Sequence, residues 1–159
     1  MALYYFDSSA IVKYYIPEKG SSWVSQLISI RTTEGEWANE IVIARIGIVE
    51  VGAAIARRRR MKEISQRLQE RTLAQFSKDF RRRYTVVPTT DETIELALTL
   101  TQRQPLRAYD AVQLATALHL HRIRRALDLP PLIFVSADED INAVAKAEGL
   151  HAENPNIHL

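Results

Sequence analysis

YYFDSSAIVKYY, residues 4–15, joins a strand to a helix within a dozen positions. Residues 3–6 are short, apolar and aromatic, a composition that suits a strand. Asp7-Ser8-Ser9 is good helix N-cap chemistry, and residues 10–15 read as a short helix stopped by Pro17. Asp7 therefore stands at the junction, a carboxylate where the strand ends.

Outward from this unit the alternation continues. Residues 21–30 place Trp23, Val24, Leu27 and Ile28 at helical spacing, residues 34–39 are polar and read as a loop, and residues 41–44 form a second short strand. From Ile46 the positions Ile46, Val49, Ala53 and Ala54 predict a helix that runs into the arginines. A further helix over 61–80 carries Ile64, Leu68, Leu73, Phe76 and Phe80, so the two form an antiparallel pair with basic outer faces. Residues 84–87 are a β-branched strand closed by Pro88, and Thr90-Asp91-Glu92-Thr93 opens a helix through Leu100. Pro105 introduces a helix over 106–127 whose apolar face includes Val112, Leu114, Ala115 and Leu118, and Pro130-Pro131 punctuates it. Residues 132–135 are a continuous apolar strand, followed by Ser136-Ala137-Asp138 and a helix over 139–148 that stops at Gly149. The final segment is too short to assign. Strands alternating with helices predict an α/β fold with a central, mainly parallel sheet and helices on both faces, one domain over residues 1–159.

Composition narrows the chemistry. The 159 residues are 47% hydrophobic and 25% charged, as in ordinary globular chains, and contain no Cys, so neither a disulfide nor a zinc-thiolate site can form. That fits a reducing compartment. No apolar stretch approaches the roughly 20 residues of a spanning helix, and the N-terminus lacks the basic region of a secretory signal. The expectation is a soluble cytoplasmic protein that does not engage a membrane. The net charge is only +2, but arginines cluster at Arg57, Arg58, Arg59 and Arg60, at 81–83 and at 122–125. Such runs are either solvated helix faces or phosphate-binding patches.

Acidic residues sit at the edges of apolar runs: Asp7 after 3–6, Glu50 after 46–49, Asp110 just inside 106–120, and Asp138 just past 132–135. In a parallel sheet, ligands bind beyond the carboxyl ends of the strands, where Asp7 and Asp138 fall. Both are also good helix caps. Glu50 and Asp110 lie among apolar residues on helices, where a bare carboxylate is costly, and several acids packed together repel each other unless a cation neutralises them. Carboxylate oxygens suit Mg²⁺. Ser8, Ser9 and Ser136 flank the strand-end acids and can orient them, and Asp140 is close enough to Asp138 to assist. His119 and His121, two apart on a helix, share no face, while His151 and His158 read as tail residues. A Gly-rich phosphate loop, a Cys nucleophile and a GxSxG elbow are all missing, and Ser9 replaces the second Asp expected of an aspartyl-phosphate phosphatase. No helix-turn-helix pattern supports a DNA-binding regulator.

With these residues in view the chain resembles the PIN-domain nucleases, and within them the VapC-like toxins of toxin–antitoxin pairs. The matching stretches are YYFDSSAIVKYY (4–15), IVEVGAAIARR (48–58), LRAYDAVQLATAL (106–118) and IFVSADEDINAVAKAEGL (133–150), in the family's order. The resemblance implies a three-layer α/β/α fold and a Mg²⁺ or Mn²⁺ site built from Asp7, Glu50, Asp110 and Asp138. It also implies endoribonuclease activity on RNA, homodimerisation, and neutralisation by a small antitoxin. Relatives usually carry hydroxyl residues shortly before the glutamate of the second stretch; here Ala44 and Gly47 stand there. Two other functions share the pattern: a housekeeping PIN nuclease of RNA processing or decay, and a catalytically silent RNA-binding module that retains the acids.

Overall fold

The computed structural model describes residues 1–158. Its core is a five-stranded, wholly parallel sheet in the order β3-β2-β1-β4-β5. The strands are β1 (Ala2–Phe6), β2 (Asn39–Ala44), β3 (Thr85–Val87), β4 (Ile133–Val135) and β5 (His151–Glu153). Between them run α1 (Ser8–Tyr15), α2 (Ser21–Ser29), α3 (Gly47–Arg60), α4 (Gln66–Arg82), α5 (Asp91–Arg103), α6 (Ala108–Ala126) and α7 (Glu139–Ala147), and a 3-10 turn (Pro155–Ile157) follows β5.

Alternation along each strand builds the layers. Leu3 and Tyr5, Val42 and Ala44, and Phe134 face one apolar core, which α5, α6 and α7 complete through Ala97, Leu100, Leu114, Leu118 and Ile141. Phe6, Ile41, Ile43 and Val135 face the other, closed by Ile11, Val24, Ile28, Val51, Ile55 and Phe76 of α1 to α4. Both sheet faces are therefore buried, which is why β1, β4 and the 41–44 part of β2 read as unbroken apolar runs. The result is the α/β/α sandwich expected from the sequence.

The strand order has one reversal. From β1 the chain moves outward to β2 and β3, then returns past β1 to β4 and β5. β1 and β4 pair through Phe6↔Val135 at their carboxyl ends, and the Asp7 N–H donates to the Val135 carbonyl at 3.0 Å. This is the topological switch point, where connections leave in opposite directions and open a crevice.

The structure departs from the sequence reading most clearly in three places. β2 begins at Asn39, taking in the end of the expected 34–39 loop, because Asn39 and Glu40 pair with Ala2 and Leu3. α4 begins at Gln66 rather than 61, since Lys62 turns left-handed (φ 59°) and the Ser65 hydroxyl caps the new helix by accepting from the Leu68 N–H at 3.1 Å. The unassigned terminal segment forms β5, so His151 and His158 are not tail residues: each ring Nε2 lies 3.0 to 3.1 Å from a Glu153 carboxylate oxygen, and the His158 ring stacks on Trp23 at 4.2 Å.

Candidate active site at the sheet switch point

Each of the four acids lies in the first turn or the N-cap of a helix. Asp7 caps α1 and Asp138 caps α7, while Glu50 and Asp110 lie in the first turns of α3 and α6. The positive ends of helix dipoles favour carboxylates at such positions. One local rule thus serves both folding and the assembly of negative charge.

Asp7 is buried, 5% exposed. Its Oδ1 accepts from the Ala10 N–H at 2.9 Å and the Ser9 hydroxyl at 2.7 Å. Ser9 in turn accepts the Ala137 N–H at 2.9 Å and lies 3.3 Å from the Ser136 hydroxyl, which accepts the Asp138 N–H at 3.1 Å. The two serines expected as auxiliary groups therefore splice the turn after β1 to the turn after β4. Asp138 Oδ1 accepts the Asp140 N–H at 2.8 Å. Asp140 contributes its backbone there, while the residue lines a shallow groove with Gln104 and Pro105.

Glu50 is held from the opposite side. Its Oε2 accepts the Ser8 hydroxyl at 2.6 Å and a bond from Gln113 Nε2 of α6. The hydroxyl that the sequence before Glu50 lacks is thus supplied by Ser8, from the turn after β1. α3 itself has Ile46 at its N-cap and so lacks a side-chain cap.

Burial and repulsion raise the proton affinities of Asp7, Glu50 and Asp110. Desolvation pushes Asp7 up to about 6, against the pull of the Ser136 and Ser9 hydroxyls and the Ala10 N–H, with Glu50 adding repulsion. Desolvation also raises Glu50, which the Ser8 and Gln113 bonds oppose and Asp110 reinforces. Asp110 is raised by desolvation and then by Asp138, with Arg107 opposing. Each acid therefore feels the next, from Asp7 through Glu50 and Asp110 to Asp138.

This donor set fits a hard divalent cation. All donors are oxygens, and Glu50 Oε1, Asp138 Oδ2 and the Asp110 carboxylate accept no hydrogen bond from the described residues. Among those residues no three acids or imidazoles stand close enough to hold an ion by themselves. Mg²⁺ usually keeps several waters and takes only one or two carboxylates directly.

The arginine run lies elsewhere. Arg57 to Arg60 occupy the C-terminal end of α3, about 10 to 15 Å along the helix axis from Glu50. Arg58 is committed to Glu18 and, at 2.7 Å, to Glu63; Arg57 and Arg60 are exposed.

Sequence reasoning passed over Gln113 and Asn142. Asn142 donates to the Ser136 carbonyl at 2.7 Å, fixing the turn that carries Asp138. The available signal for Gln113 was a lone amide amid Val112, Leu114 and Ala115, one helical turn past Asp110.

The PIN domain family model matches residues 4–147. The chain belongs to the PIN-domain family. Its fold is similar to FitAcB from Neisseria gonorrhoeae, with TM-score 0.64 and 16% identity over 100% of both chains. It is also similar to a toxin–antitoxin complex from Klebsiella pneumoniae, with TM-score 0.59, 17% identity and 98% of each chain covered. A third likeness is to Mycobacterium tuberculosis VapC20, a sarcin-ricin loop cleaving toxin, with TM-score 0.60 and 13% identity over 90% of this chain and 95% of that one. At these identities the likeness establishes the fold. No curated protein matches in sequence. Among the described residues no helix is long and apolar enough to cross a membrane.

Proposed function

We propose that this protein is a metal-dependent endoribonuclease and the toxin of a VapBC-type toxin–antitoxin pair. The reading is carried by four acids that each sit at a helix N-terminus, Asp7 and Asp138 on turns joined through Ser9 and Ser136 and Glu50 tied to Ser8 of the turn after β1. Membership of the PIN-domain family supports nuclease chemistry, and the likeness to FitAcB, the Klebsiella complex and VapC20 supports the toxin assignment. A small antitoxin that covers the acidic rim and a second copy of the chain are the partners this reading calls for.

When bound, Mg²⁺ or Mn²⁺ supplies Lewis-acid stabilisation of the charge that builds on the phosphodiester and acidifies a nucleophilic water. One or two of Asp7, Glu50, Asp110 and Asp138 would hold it directly and the others through its waters. Ser9 and the Ala10 N–H orient Asp7, while Ser8 and Gln113 orient Glu50, so the ligands are set before substrate arrives. Arg57, Arg59 and Arg60 bind phosphates of the RNA strand away from the scissile bond, which anchors it without reading its sequence.

Single-stranded RNA incubated with the purified protein and Mg²⁺, followed by mapping of new 5′ ends, tests the proposal. Asp7→Asn and Asp110→Asn are expected to lower cleavage about a hundredfold or more with the circular dichroism spectrum unchanged. Cleavage retained in both variants, or undiminished by EDTA, contradicts the assignment.

A further inference from the structure

We propose that Gln113 is a positioning residue for Glu50, holding one carboxylate oxygen so that the other stays free for a divalent cation. The inference rests on the metal-site reading above and adds to it a residue outside the acidic set.

Gln113 is 2% exposed and sits on α6, one turn beyond Asp110. Its amide can face only one way. The Glu50 carboxylate accepts and cannot donate, so Nε2 must turn to Glu50 Oε2, which places Oε1 toward Tyr5, whose hydroxyl donates to it at 2.7 Å. Tyr5 is itself firmly packed: its side chain is fully buried on β1 and its ring stacks on Phe134 of β4, centroids 5.8 Å apart at 14°. A chain of hydrogen bonds therefore runs from the centre of the sheet through α6 to the first turn of α3.

Ser8 completes the clamp. Its hydroxyl donates to the same Oε2 at 2.6 Å, and Gln113 Nε2 lies 3.2 Å from the Ser8 oxygen. Both donors meet one oxygen, and Oε1 accepts from none of the described residues. The side-chain type matters. Leucine would leave Glu50 with Ser8 alone and the Tyr5 hydroxyl without its acceptor; lysine would hold Glu50 while cancelling the charge a cation needs. Glutamine orients the carboxylate and preserves its charge.

Mn²⁺ binding to the purified full-length chain, read by electron paramagnetic resonance of the free ion, tests this without any cleavage assay. Gln113→Leu is expected to weaken Mn²⁺ binding about tenfold, and Tyr5→Phe to weaken it less, in the same direction. In a Glu50→Gln background, adding Gln113→Leu is expected to change nothing further, because Gln113 acts through Glu50. Should Gln113→Leu fail to fold, Tyr5→Phe alone decides: weakened binding supports the role and wild-type binding overturns it. Wild-type affinity in both variants, or an equal loss with and without Glu50, overturns the proposal while leaving the metal site standing. Failure of the wild-type chain to bind Mn²⁺ overturns the metal-site reading and this proposal with it.

Discussion

At the scale of single residues, Asp7 answers two demands that oppose each other. As the N-cap of α1 it benefits from an ionised side chain, yet burial penalises that charge and Glu50 repels it. The balance lifts its carboxyl to about 6. A carboxyl raised on folding favours the protonated native state, so its stabilising effect is complete below the ordinary value near 4 and is lost as pH climbs through about 6. Above that range the ionised group costs up to about 3 kcal/mol relative to the unfolded chain. Asp7→Asn, which keeps the cap, is therefore expected to raise the urea midpoint at pH 8 without divalent cation and to leave it unchanged near pH 4. An equal gain at both pH values would show that charge is not the cause. The acids were legible in the sequence because each interrupts an apolar run. Gln113 was not, because an isolated amide on a buried helix shows neither its partner nor its direction.

At the scale of elements, legibility depended on which residue ends a helix. α7 finishes with Gly149 at φ 92°, where the Leu150 N–H returns to the Ala145 carbonyl and the Gly149 N–H to that of Lys146. Glycine at that left-handed position is a readable stop signal. α3 finishes with the same pair of bonds, Glu63 to Arg58 and Lys62 to Arg59, but Lys62 occupies the left-handed position at φ 59°. Nothing in RRRRMKE announces that turn, so the helix reads as continuous from 61. A side chain in this conformation is strained, and Lys62→Gly is expected to stabilise the protein by up to about 1 kcal/mol, net of the extra freedom glycine gives the unfolded chain. Chemical denaturation checks this, and a loss of stability would contradict the account of the turn. β5 escaped notice for another reason. HAE has no strand pattern of its own and is a strand because β4 offers an edge to pair with.

At the scale of the molecule, the α/β class followed from alternating strands and helices, whereas the strand order did not. That order decides the site: placing β1 beside β4 sets the Asp7–Ser9 turn against the Ser136–Asp138 turn, and α6 brings Gln113 to Glu50. Helix length likewise decides the place of the arginines, since α3 begins at the acidic rim and carries Arg57 to Arg60 away from it. If these carboxylates serve one cation site, anomalous diffraction at the manganese edge from crystals grown with Mn²⁺ will locate the ion there. A peak is expected at the carboxyl rim of the sheet, within bonding distance of oxygens from one or two of Asp7, Glu50, Asp110 and Asp138 and within reach of the rest through water. An empty rim at saturating Mn²⁺, or a peak held only by other residues, would contradict the single-site reading.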